Sequence, residues 1–128
     1  MKVRSLLIAA ALGAFATAAA AVTDSISAND QAISNNSVTA NSVTASKAGY
    51  LAVHTITGPH IGRMLGVVAV KAGENSDVSV PLTAAVKAGK KLVFILHEES
   101  NGDTVFDPRD KLVVVDGKLV TKSITVLK

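Results

Sequence analysis

The chain has no cysteine, no tryptophan, one tyrosine, three phenylalanines and three prolines in 128 residues. Without cysteine it can have no disulfide staple, zinc–thiolate centre, thiol nucleophile or lipid-anchored N-terminal cysteine. So few aromatics leave no stacking platform for nucleic acid, and Lys90-Lys91 is the only basic doublet. Catalytic signatures are missing too. There is no Gly-x-Ser-x-Gly elbow, no Ser-x-x-Lys with its partner motifs, and no phosphate-cradling glycine loop. A serine, a histidine and an aspartate scattered along a chain do not make a triad. The sequence therefore predicts a protein that is not an enzyme and does not bind nucleic acid.

What is present begins with an address. Lys2 and Arg4 precede the apolar run from Leu6 to Leu12, and Ala18-Ala19-Ala20-Ala21 leads into polar sequence. A positive start, a short apolar run and small residues are the parts of a cleaved secretory signal peptide, here residues 1–21, with cleavage after Ala20 or Ala21. The run is too short for a comfortable membrane span. Lys2 and Arg4 leave with it, so 13 basic residues become 11 against 10 acids, a net charge of +1. The sequence thus predicts an exported protein, periplasmic or on the cell surface, with no integral membrane span.

Valine supplies 17 of the residues after position 21, and its stiff χ1 suits a half-buried pleated surface. Residues 22–36 are polar and read as a flexible arm, with one short strand around positions 31–33. A single domain then fills residues 37–128. The echo Ser37-Val38-Thr39-Ala40-Asn41 and Ser42-Val43-Thr44-Ala45-Ser46 has an odd period. Val38 and Val43 would therefore face opposite ways unless a bulge near Asn41-Ser42 realigns them. Residues 50–56, 64–70 and 77–82 read as strands, with Pro81 arguing for an edge or a strand end. Residues 83–91 allow one helical turn. The run Leu92-Val93-Phe94-Ile95-Leu96 belongs at the centre of a sheet. Asp116-Gly117 between valine-rich runs signals a hairpin. About seven short strands at this spacing predict an all-β, immunoglobulin-like antiparallel sandwich.

Two clusters qualify as candidate metal sites. Glu99, Asn101, Asp103 and Asp107 alternate loosely in a glycine-containing loop, as calcium ligands do, without matching the EF-hand pattern. His54, His60 and Met64 offer imidazole and thioether, which suit copper, and His97 could join His54 if their strands are neighbours. The competing readings are a solvated turn for the first cluster and hydrogen-bonded packing histidines for the second. Asn35-Asn36-Ser37 is a glycosylation sequon, relevant only in a host that glycosylates.

Several stretches together resemble a known family. They are Asp30-Gln31, the two Ser-Val-Thr triplets, Gly49-Tyr50-Leu51-Ala52-Val53-His54, Leu65-Gly66-Val67, Lys71-Ala72-Gly73, Val78-Ser79-Val80, Leu96-His97 followed by Asn101-Gly102-Asp103, and Asp116-Gly117-Lys118-Leu119-Val120-Thr121. In order and spacing they resemble a small secreted β-domain of unknown function, common in surface proteins of halophilic archaea and also found in bacteria. The resemblance covers residues 29–127. It implies an immunoglobulin-like sandwich outside the cytoplasm and supplies no activity and no site. The chain is less acidic than that family, and Glu98-Glu99-Ser100 stands where halophilic members tend to have Asp-Thr-Asp. That difference argues against an inherited cation site and for a non-halophilic source. The predicted role is a structural, surface or interaction module with a protein or cell-surface partner, or self-association through sheet edges. The alternative is a calcium- or copper-binding protein.

Overall fold

The computed structural model describes residues 22–100, 106 and 111–128; the expected signal peptide lies outside them. In chain order the strands are β1 (Ser25–Ser27), β2 (Gln31–Ala32), β3 (Ser37–Ala45), β4 (Gly49–Thr57), β5 (His60–Val70) and β6 (Gly73–Pro81). They continue with β7 (Lys91–Glu98), β8 (Lys111–Leu112), β9 (Val114–Val115), β10 (Lys118–Leu119) and β11 (Thr121–Leu127). One sheet has the order β1-β3-β6. The larger has the order β2-β11-β7-β4-β5, with β8 also on β7, while β9 and β10 pair only with each other.

This is the all-β, immunoglobulin-like sandwich that the sequence predicts, with two differences of detail. The expected seven strands become six of seven to eleven residues and five of two or three. The sheets are also not wholly antiparallel, because β2 runs parallel to β11.

The core is aliphatic. Val38, Ala40, Val43 and Ala45 from β3 meet Leu51 and Val53 from β4, Leu92, Phe94 and Leu96 from β7, and Ile124 and Val126 from β11. In β3 the buried positions run 38 and 40, then 43 and 45, so the inward phase changes at Asn41. Opposite lies Asp77 of β6 with φ 51°, and the register on either side is unbroken. Both strands are interrupted at the same step, so Val38 and Val43 turn to one face without the expected bulge, which would add a residue on one strand only. β7 is the middle strand and Leu92 through Leu96 are all buried. A strand covered on both faces reads as a continuous apolar run. Pro81 closes β6 at the sheet edge, where its missing N–H costs no ladder bond.

Three local readings need correction. The short strand expected at positions 31–33 is there as β2, paired with β11, but the arm of residues 22–36 also carries β1, paired with β3. The chain thus crosses between the sheets, and the Gln31 amide spans the crossing. Its Nε2 donates to Thr39 O at 2.8 Å and its Oε1 accepts from Thr39 N at 2.8 Å, imitating a strand neighbour. Residues 83–91 form no helical turn. Lys90 N–H closes a tight turn onto Lys87 O at 3.2 Å, with Gly89 at φ 91°. The Asp116-Gly117 hairpin forms, both residues taking the positive φ (52° and 79°) of a type I′ turn, but it is short. Leu96 of β7 accepts from Val113 N–H and donates to Val120 O, each at 3.1 Å. β8 and β11 therefore lie in line along one edge of β7, and residues 114–119 project from it.

Candidate functional site: the outer face of the larger sheet

Cross-strand partners in an antiparallel ladder point to the same face. The register places three rows on the face turned away from the core. The first is Ala69, Tyr50, His97 and Leu112. The second is Val67, Ala52, Ile95 and Thr121. The third is Met64, His54, Val93 and Ser123. Tyr50, Ala52, Val93 and Ile95 are buried although none belongs to the core between the sheets. Part of their cover is Phe106, which stands edge-on to Tyr50 at 5.5 Å and to His97 at 4.9 Å between ring centres. Edge-to-face geometry is the favoured arrangement of such rings.

The polar rim of this layer is tied down. Tyr50 donates its hydroxyl to Glu99 Oε1 at 2.8 Å, and Glu99 N–H donates to Ala48 O at 3.1 Å. Lys47 Nζ lies 3.6 Å from Glu98 Oε1. Gly49 starts β4 so close to β7 that a Cβ there would strike the His97 carbonyl oxygen, so only glycine fits. Both ring nitrogens of His97 are shielded from solvent.

Of the candidate ligands, the fold brings some together and separates others. β4 and β7 are neighbours, as a His54–His97 meeting requires. However, Tyr50 pairs with His97 and Val93 with His54, so the two imidazoles lie four residues apart along the sheet, about 13 Å. His54 and Met64 are cross-strand partners, whereas His60 sits opposite Thr57 at the hairpin end. His54 Nδ1 is 3.0 Å from Gly62 O, in an exposed hydrogen bond. In the calcium cluster Glu99 is engaged by Tyr50; Asn101, Asp103 and Asp107 lie outside the described residues. Among the described residues no three His, Asp or Glu side chains group around a metal position, and no helix is long and apolar enough to cross a membrane.

Neither Tyr50 nor Phe106 is among the candidate residues of the sequence, and the Asp116-Gly117 hairpin is there only as a turn. Scarcity was the available signal: Phe94 is in the core, and the other two aromatics beyond residue 21 meet each other outside it. On the hairpin, Val113 and Val120 turn inward while Val114 and Leu119 face each other outside. Val114 is 55% exposed and Leu119 39%, and Leu112, beside His97, is 45% exposed.

Neither a curated protein nor a solved structure matches the chain. A family does match, over residues 24–127, which takes in every strand from β1 to β11. The chain belongs to the DUF7282 family, a domain of unknown function.

Proposed function

We propose that this protein is an exported, non-enzymatic β-sandwich that works by contact, binding a protein on the cell surface or in the periplasm. One observation carries the reading: Leu112, Val114 and Leu119 stand exposed on or beside a hairpin that projects from the sheet edge. A cluster of large apolar side chains on a projecting element is what an interaction site needs. Export rests on the basic, apolar and alanine-rich parts of residues 1–21. β1 and β2 are each paired on one side only and stand at the outside of their sheets, so residues 22–36 can meet a second copy without breaking those pairs. β5 is another edge strand, and its residues His60 through Met64 are all exposed.

Fractionation of cells producing the full chain tests both halves of the proposal. The expected product lacks residues 1–20 or 1–21 by intact mass and stays with the cell envelope. The Val114→Lys/Leu119→Lys variant should be released in soluble form. A full-length cytoplasmic product would end the export reading. Equal release of both proteins would end the hairpin reading.

A second reading, copper at His54 and Met64, is favoured only by their cross-strand pairing. Titration calorimetry of the protein lacking residues 1–21 with copper, and with calcium for the residues 99–107 cluster, decides it. Absence of heat ends the metal reading.

A further inference from the structure

We infer that the end of the sandwich opposite Glu98 and Glu99 holds a binding cleft for a small organic anion with a short apolar tail. β7 begins at Lys91 and ends at Glu98, so its two ends carry opposite charge. At the basic end a cleft of about 330 Å³ opens between the tip of the β4–β5 hairpin and the crossover that joins β6 to β7. That volume lies at the lower end of the range for small-molecule pockets.

Four cations stand in its walls, Arg63, Lys87, Lys90 and Lys91, and no acid does. They are more than a third of the 11 basic residues that remain after position 21. Lys91 Nζ donates to Thr125 Oγ1 at 3.2 Å. The single ion pair among the described residues, Lys47 with Glu98, is at the other end. Asp30, which accepts from Thr125 N–H at 2.8 Å, is not among the walls. Like charges gathered without a counter-charge raise the local concentration of an anion. Arg63 adds a fork that matches a carboxylate or phosphate.

The cleft also has an apolar floor. Half-buried Ile56 of β4 and Val86 of the crossover form it, with the fully buried Leu65 and Leu92 at its base. A simple anion would leave that floor wet, and a plain alcohol would leave the cations without a partner. A nucleic acid is a poor fit because no aromatic lines the cleft. An anionic head on a short alkyl tail satisfies both surfaces. The head can be a carboxylate or a phosphate, so the two are compared directly.

Calorimetry on the protein lacking residues 1–21 uses four probes: octanoate, octyl phosphate, octan-1-ol and inorganic phosphate. At least one octyl anion should bind about tenfold more tightly than octanol and than phosphate. Its affinity should fall several-fold as NaCl rises from about 50 to 500 mM. Lys87→Ala/Lys90→Ala, both exposed, should weaken it about tenfold with the melting temperature unchanged. The inference is overturned if neither octyl anion binds, if octanol or phosphate binds equally well, or if the double variant binds like the parent. None of these results bears on the hairpin, whose residues lie outside the cleft.

Discussion

Tyr50 donates its hydroxyl to Glu99 Oε1 at 2.8 Å. The bond ties the start of β4 to the residue just beyond β7, at the point where Phe106 covers both Tyr50 and His97. Tyr50→Phe removes this bond and keeps the ring. A hydrogen bond to a charged acceptor contributes about 1–3 kcal/mol. Urea unfolding should therefore show a loss of that size, and Tyr50→Ala a larger one because the ring contacts go too. Equal stability of the Phe variant and the parent would mean the bond is not held in solution.

Gly49→Ala sets a methyl group against the His97 carbonyl oxygen, which belongs to the backbone of the central strand and cannot step aside. The expected loss is about 3 kcal/mol or more, in the range of severe overpacking. Thermal denaturation reads it directly; an unchanged midpoint would show that β4 and β7 are less closely set than described.

Gln31→Leu leaves both Thr39 backbone groups without the side-chain amide that bonds them. The variant should lose about 1–3 kcal/mol. Amide exchange should quicken at Thr39 and along β2 while β7 stays protected.

At the projecting turn, Gly117→Val forces a β-branched residue to φ 79° and should cost about 1–3 kcal/mol. Asp116→Asn should be nearly silent, since asparagine tolerates positive φ. Chemical denaturation of the two variants side by side gives the contrast.

Chelation separates the contact reading from the metal one. If the protein needs no ion, EDTA leaves its melting temperature unchanged. A fall of several degrees, restored by calcium, would transfer the argument to Glu99 and its loop.

The sequence made legible those features that repeat locally. Alternation and valine content mark the strands, Leu92 to Leu96 marks the strand covered on both faces, and Asp116-Gly117 marks a turn that needs two positive φ values. It did not show what depends on distant partners. Gln31 acts as a strand neighbour through its side chain, which no periodicity records. Val113 and Val120 end the last hairpin by bonding the two different backbone groups of Leu96, its carbonyl and its N–H, 17 or more residues away in the chain. His97 and His54 look alike along the chain. Only the register separates them, placing one beside Tyr50 under Phe106 and the other beside Met64.

The hairpin of residues 114–119 is the surface through which we propose the protein makes contact. Photo-crosslinking in cells producing the full chain, from a photoreactive residue at position 114 and, as control, at exposed Thr83, tests it most directly. Contact through the hairpin gives a discrete protein adduct from position 114 and none from 83. No adduct at 114, or the same adducts from both positions, would contradict it.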